Sequence, residues 1–396
     1  MKKIFLFTDK GDDFSFLTKI VNKKVMEYPV MSAYAAGADQ VYLLSNRLEV
    51  SDEKVKRINE DEIVDHVDKD DYIVFLSANM PMVKAKTIKK IFEKLDHHDL
   101  VIEEADQYAE IYAMKGGPFV EFFKDNARKT IDVLRFKLSD AKITNLKGSN
   151  KLAMVTSYED LSKADSYLRK SINKEYMKEG VFIEAPETVT IEAGVKIGKG
   201  TRIEMGTRIL GKTEIGENCF IGSNSKIEDS IIHNNVDIYS SFIEKSEVEE
   251  YTNIGPFARL RPNAHLKKHV HIGNFVEVKN SVLGEGTKAG HLAYIGDAEL
   301  GSDINVSCGV IFANYDGKFK HKAIVGDGAF LGSNVNLVAP VNIEKDSFIA
   351  AGSTVTKDVK EGYLVIERSE RKDVEGYAAK KRARDLKIEQ EKKATK

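Results

Sequence analysis

The sequence predicts an α/β domain followed by a parallel β-helix of hexapeptide repeats, and three observations carry this reading. A branched aliphatic residue returns at every sixth position between about 183 and 366. It does so at Ile191, Ile197, Ile203, Ile209, Ile215, Ile221 and Ile227, then again at Val325, Leu331, Leu337, Ile343, Ile349 and Val355. The next position is often glycine (Gly198, Gly216, Gly273, Gly332), and the position four after the aliphatic is small (Thr201, Thr207, Thr213, Cys219, Ser225, Ser347). Residues 1 to about 160 hold short continuous apolar runs instead, separated by charged helical patterns. A lone helix needs apolar spacings of three and four and a lone strand a spacing of two, so a period of six fits neither. It fits short strands that turn corners where only small residues fit, with the aliphatic column stacked inside.

In chain order, Ile4-Phe5-Leu6-Phe7, Gln40-Val41-Tyr42-Leu43-Leu44 and Tyr72-Ile73-Val74-Phe75-Leu76 read as buried parallel strands, with a helical pattern such as Lys84 to Leu95 between such runs. Between Tyr158 and Lys178 the pattern turns helical, with Leu161, Ala164, Leu168 and Ile172 on one face, and reads as a connecting helix. The hexads begin at Val181 and include a few five-residue steps, as from Ile227 to Ile232 and from Ile238 to Ile243. One sizeable break, Asn314 to Lys322, interrupts the ladder after Phe312. Insertions in repeat proteins map to loops that often bind. Beyond Ile366 the residues are mostly Lys, Arg, Glu and Ala, a solvated and partly helical end. The chain thus divides into 1–160, 161–180, 181–366 and 367–396.

Charged residues make up 31% of the 396 positions but the net charge is −2, so no global field argues for nucleic acid or membrane. The two cysteines, Cys219 and Cys308, are far apart and in no metal-ligand spacing; Cys219 falls in a small corner slot and reads as a buried thiol. A disulfide framework is excluded, and a reducing, cytoplasmic location is expected. The apolar run in Met1 to Phe7 is too short for a signal or a membrane span, so no membrane insertion is expected.

A coil of three hexads takes about eighteen residues, so residues eighteen apart in an unslipped run stack about 4.8 Å apart. Arg261 and Lys279 are such a pair, each following an inward aliphatic and therefore pointing outward. Two cations at that distance repel by about 3 kcal/mol at a protein surface, a cost that an anion between them turns into binding. The bland alternative is two long side chains splayed into solvent. His291, in Gly290-His291-Leu292-Ala293-Tyr294, follows closely. An unperturbed imidazole pKa of about 6.5 suits a general base, although a lone histidine is more often a surface residue.

These motifs carry a resemblance across the whole chain. Gly255-Pro256-Phe257-Ala258-Arg259-Leu260-Arg261-Pro262, Gly273-Asn274-Phe275-Val276-Glu277-Val278-Lys279, Lys288-Ala289-Gly290-His291-Leu292, Gly296-Asp297-Ala298-Glu299 and Asn314-Tyr315-Asp316-Gly317 resemble one bacterial family. It is the bifunctional family that joins N-acetylglucosamine-1-phosphate uridyltransferase to glucosamine-1-phosphate N-acetyltransferase. The resemblance implies a nucleotidyltransferase-like, Rossmann-like α/β domain and a left-handed β-helix, assembled as a homotrimer with active sites between neighbours. It implies that Arg261, Lys279, Tyr294 and Asn305 hold glucosamine-1-phosphate, that His291 is the base, and that Cys308, Asn314, Tyr315, Ser333, Ala351 and Arg368 line the acetyl-CoA site. Tyr315, Ser333 and Ala351 are eighteen apart, as for one groove along the coils, and Lys320 adds charge for the coenzyme phosphates.

The implied reaction is acetyl transfer from acetyl-CoA to the amine of glucosamine-1-phosphate, toward UDP-N-acetylglucosamine and cell-wall precursors. The ammonium must lose a proton before it attacks, and a neighbouring base is worth about 10²–10⁴-fold. The family also opens with a glycine-rich L-A-A-G-x-G-T-R-M signature for the nucleotide phosphates. Here the first strand runs into Phe7-Thr8-Asp9-Lys10-Gly11-Asp12-Asp13, whose acidic residues repel a triphosphate. The family's G-D-x-P, whose aspartate helps bind magnesium, appears as Ala78-Asn79-Met80-Pro81, and a neutral amide is a poorer Mg²⁺ ligand than a carboxylate. With the domain also short, the expectation is that uridyl transfer is lost and that Mg²⁺ matters only if it persists. The alternatives are a fully bifunctional enzyme, a related acyltransferase acting on another amine, and a non-catalytic hexapeptide scaffold.

Overall fold

The computed structural model describes residues 1–8, 13–45, 47–48, 50–98, 100–105, 109–124, 144–146 and 154–394. Asp9 to Asp12 of the loop after the first strand lie outside the described residues. The chain folds as two compact units, Met1–Phe257 and Ala258–Lys396.

The first unit opens with a seven-stranded sheet in the order Lys56–Ile58, Gln40–Leu44, Lys2–Phe7, Tyr72–Ser77, Ala109–Lys115, Leu100–Ala105, Thr144–Leu146. The three strands read from apolar runs pair parallel, Phe5 lying opposite Tyr42 and Phe75. Alternate residues face opposite layers. Ile4, Leu6, Val41, Leu43, Val74 and Leu76 pack with helices Glu27–Ala35 and Ala85–Leu95, while Phe5, Phe7, Tyr42, Ile73 and Phe75 build the other core. Both faces are covered, which is why these strands are apolar throughout rather than alternating. Four strands of this sheet, Lys56–Ile58, Ala109–Lys115, Leu100–Ala105 and Thr144–Leu146, escaped the sequence reading. Lys56–Ile58 is a short edge with two exposed residues, and Ala109–Lys115 runs antiparallel to Tyr72–Ser77, where a parallel pattern was sought.

The helix Tyr158–Lys178 starts where Ser157 Oγ accepts the Asp160 N–H at 3.1 Å. It is fastened to the first coils by Asn173, whose amide donates to the Pro186 and Val189 carbonyls at 2.7 and 2.9 Å, and by the Tyr176 hydroxyl, which donates to Val195 O at 2.6 Å. In these coils the hexads become strands of two or three residues, each pairing parallel with the strand one coil on; Ile191, Ile209, Ile227 and Ile243 form one continuous inward column. All four are buried, each worth about 2 kcal/mol of apolar transfer. Cys219 is buried as expected, its thiol donating to His233 O at 3.1 Å, and burial pushes that thiol up.

The second unit continues the pattern as a left-handed parallel β-helix of three sheets. One sheet stacks His271–Asn274, Lys288–His291, Asn305–Val306, Phe330–Leu331, Phe348–Ile349 and Leu364–Val365. The next stacks Arg259–Leu260, Glu277–Lys279, Tyr294–Gly296, Ile311–Ala313, Asn336–Val338 and Thr354–Val355, and the third begins Ala264–Leu266, Ser281–Leu283. Close stacking makes some glycines obligatory. A Cβ on Gly273 would collide with the Gly290 carbonyl of the next coil, whereas one on Gly290 meets nothing within 4 Å. The residues after the coils end in an exposed helix, Tyr377–Ala394.

Candidate functional site

All the site residues expected from sequence lie in the second unit, and the register sorts them into two groups. On the Glu277–Lys279 sheet, Leu260 lies opposite Val278 and the Arg261 N–H donates to Val278 O at 2.8 Å, so Arg261 and Lys279 do stack on successive coils. They are not a bare pair of cations. Arg261 Nη1 donates to Glu277 Oε1 at 2.9 Å, a partner that strand alternation could have revealed because Glu277 lies two residues from Lys279.

The third cation comes from the inserted loop. Asp316 shapes that loop, accepting the Lys318 and Phe319 N–H groups at 2.8 and 2.7 Å on one oxygen and facing His321 Nε2 at 2.7 Å on the other. The Phe319 N–H, His321 and the Lys318 N–H hold its carboxyl at about 2. Tyr315 and Lys320 bridge across the loop, and Lys320 returns to Lys279. Contact with the Lys320 ammonium, then burial and the Arg261 guanidinium, hold Lys279 below the usual lysine range, with Asp297 opposing. Lys320 therefore sits with Arg261 and Lys279. Tyr294 joins this group. Gly296 has no Cβ, so the Tyr294 ring folds over it, and Tyr294 Oη lies 3.4 Å from Asn314 Nδ2.

The second group lies on the Lys288–His291 sheet. Asn274 is in register with His291, and His291 Nδ1 donates to Asn274 Oδ1 at 2.8 Å, which leaves Nε2 as the acceptor. Asn274 was missed in the sequence, although it stands one coil, seventeen residues, before His291. Lys288 pairs with Asn305, Asn305 with Phe330 and Phe330 with Phe348, so one outward column runs Asn274, His291, Cys308, Ser333, Ala351. The Asn334 N–H to Cys308 O and the Gly352 N–H to Ser333 O, both 2.8 Å, keep that column in step.

Tyr315 is not part of it, and the spacing of eighteen misleads there. The coil from Val306 to Leu331 contains the inserted loop, so the residue stacked on Ser333 is Cys308, not the residue eighteen before it. Tyr315 instead donates its hydroxyl to Gly317 O at 2.6 Å within the loop. Asn305 lies one column over, donating to Ser307 Oγ at 2.9 Å. Arg368 reaches back over Gly352, beside Ala351. Small outward side chains on three successive coils leave a shallow track about 10 Å long. Arg368 lies at its end.

Comparison with known proteins now bears on this arrangement. Residues 212–238 and 322–357 match the family model described as hexapeptide repeat of succinyl-transferase. The bifunctional protein GlmU of Thermosipho africanus is 40% identical over 350 residues, which cover 84% of this chain and 76% of the relative. The chain belongs to the GlmU family. The GlmU of Clostridioides difficile is 34% identical over 369 residues, 81% of this chain and 80% of its own length. That of Thermodesulfovibrio yellowstonii is 41% identical over 305 residues, 74% and 68%. Among solved structures, the chain is similar to the UDP-N-acetylglucosamine acyltransferase of Francisella novicida at 23% identity, covering 51% of this chain and 73% of that one with a TM-score of 0.28, a likeness too weak to carry an argument. GlmU membership makes the chain a transferase enzyme whose acetyltransferase half is the hexapeptide β-helix. Among the described residues, no helix is long and apolar enough to cross a membrane.

Proposed function

We propose that the chain transfers the acetyl group of acetyl-CoA to the amine of glucosamine-1-phosphate, acts in the cytoplasm as a homotrimer, and does not transfer uridylate. The observation that carries the reading is the oriented His291, hydrogen-bonded through Nδ1 to Asn274 and sharing its column with Cys308, Ser333 and Ala351. Acetyl-CoA, when bound, supplies an activated acyl group. His291 Nε2 takes the proton that the sugar ammonium must lose before its nitrogen can attack. Arg261, Lys279 and Lys320 hold the sugar phosphate, and Tyr294 and Asn305 orient the ring. Cys308, Asn314, Tyr315, Ser333, Ala351 and Arg368 take the coenzyme, Tyr315 doing so from the loop. Fixing both substrates removes much of the entropic barrier of a bimolecular step. We assign 181–366 to this activity, 1–160 to a nucleotidyltransferase-like remnant, 161–180 to the connecting helix and 367–396 to a charged tail.

The loss of uridyl transfer rests on Asn79. Where the family pattern has a magnesium-binding aspartate, Asn79 is fully buried, its Oδ1 accepting from Ser77 Oγ at 2.6 Å and its Nδ2 donating to Val155 O at 2.9 Å. An amide so engaged does not fit a magnesium ion; it fits a staple between the sheet and residue 155. Two assays on the purified chain test the reading: CoA release from acetyl-CoA with glucosamine-1-phosphate, and Mg²⁺-dependent pyrophosphate release from UTP with N-acetylglucosamine-1-phosphate. The first is expected positive and the second negative. Pyrophosphate release that disappears on removing residues 1–160 would restore the bifunctional alternative.

A further inference from the structure

We propose that Asp297 is a positioning residue of the transfer site, its buried carboxylate holding Asn314 and with it the root of the loop 314–322. This rests on the acetyltransferase reading for its substrates but on the fold alone for its geometry. Asp297 occupies a corner at φ +49 and is 9% exposed. One carboxylate oxygen accepts from Asn280 Nδ2 at 2.6 Å and the other from Asn314 Nδ2 at 2.5 Å. Its backbone ties the same place together, the N–H donating to Lys279 O at 3.1 Å and the carbonyl accepting from the Ala323 N–H at 3.2 Å. Asp297 thus grips the first residue of the loop and the residue just past its end, one coil beyond Lys279.

Other acidic corners do something simpler. Asp229, Asp303 and Asp346 lie over Gly211, Gly286 and Gly328 of the preceding coil. Asp297 has Asn280 on one side and Asn314 on the other, each presenting an amide NH₂. A carboxylate meets two donors on opposite sides with one oxygen toward each, whereas a hydroxyl or an amide has a single acceptor oxygen and serves both sides only if one neighbour turns. The Asn314 carbonyl accepts from the His321 N–H at 2.8 Å, so fixing Asn314 closes the loop that returns Lys320 to Lys279. Asn314 also faces Tyr294 Oη across Gly296, so the same side chain touches the sugar and coenzyme sides of the site.

The test uses the full chain as wild type, Asp297→Gly, Asp297→Asn, Asn314→Ala and the Asp297→Gly/Asn314→Ala pair. Glycine suits φ +49 and removes the carboxylate without backbone strain. In Asp297→Gly, KM for glucosamine-1-phosphate and for acetyl-CoA is expected to rise at least about tenfold while kcat stays within about threefold. Asp297→Asn recovers most of the loss, because Asn280 can turn its amide to present an oxygen. In the Asn314→Ala background, Asp297→Gly adds less than about twofold, as for residues acting through one another. Limited trypsinolysis reads the loop without any turnover: cleavage after Lys318, Lys320 or Lys322 is expected to speed up at least about fivefold in Asp297→Gly. Wild-type KM values with unchanged proteolysis, or equal losses in both backgrounds, would overturn the proposal. So would a lower melting temperature with unchanged KM, which would make Asp297 structural only. A wild-type chain without CoA release would refute the acetyltransferase reading instead, and proteolysis would still decide the role of Asp297.

Discussion

At the residue scale, two side chains carry the proposed chemistry. His291 is exposed but oriented, and His291→Ala is expected to cut kcat about 10²–10⁴-fold while acetyl-CoA binding survives. Isothermal calorimetry beside the turnover assay checks both halves, and near wild-type turnover would remove His291 as the base. Lys279 carries the pH dependence. Lys320 and Arg261 crowd it, Asp297 offsets them, and Glu277 already pairs with Arg261, so the free-state ammonium loses its proton below the usual lysine range. Only the charged form attracts the sugar phosphate. Affinity should therefore fall as pH rises through that depressed value, and binding on the alkaline side should be accompanied by proton uptake. Calorimetry in two buffers of different ionisation enthalpy measures the uptake. A pH-independent affinity across the alkaline range would show that Lys279 does not hold the phosphate.

At the element scale, the coil is held by a repeated inward aliphatic and by corners with no room to spare. Gly273→Ala would drive a Cβ into the Gly290 carbonyl, a clash with backbone that no side chain can relieve, whereas Gly290→Ala faces open space at a backbone conformation open to alanine. Gly273→Ala is expected to cost about 3 kcal/mol and Gly290→Ala less than about 0.5 kcal/mol, readable as urea midpoints. Equal midpoints would mean that the coils can separate at that corner. The hexads made this architecture legible in the sequence, because a period of six leaves a register with every aliphatic facing inward. They did not make the coil around Tyr315 legible. Counting by eighteen assumes an unbroken coil, and the loop that starts at Asn314 lengthens that turn, so Cys308 rather than Tyr315 stacks beneath Ser333.

At the scale of the whole molecule, the α/β sheet is pinned by a buried ion pair that no periodicity announces. Lys3 Nζ lies 2.6 Å from Asp71 Oδ2, with both side chains nearly inaccessible, and the amino group of Met1 lies 2.9 Å from Asp71 Oδ1. Burial alone would raise the Asp71 carboxyl, but hydrogen bonds from Lys3, the Asp68 N–H and the Met1 amino group outweigh it and hold it below the usual carboxylate range. Because the folded value lies below the unfolded one, the stabilisation is complete above about pH 3.9 and is lost as pH falls through the folded value. Lys3→Met leaves Asp71 short of a buried partner and should lower stability by about 3 kcal/mol at neutral pH, with a shallower acid limb in urea unfolding. An unchanged urea midpoint would show the pair to be neutral. What the sequence by itself determined was the repeat, the parallel strands, the helix Tyr158–Lys178, the cation pair and the family, because each is written as a local pattern or spacing. Only the tertiary structure decided which groups face one another across coils: Asn274 on His291, Glu277 on Arg261, Lys320 on Lys279 and Asp297 on Asn314. The reason is that partners in neighbouring coils lie sixteen or more residues apart, at a distance that changes with every short step and every inserted loop.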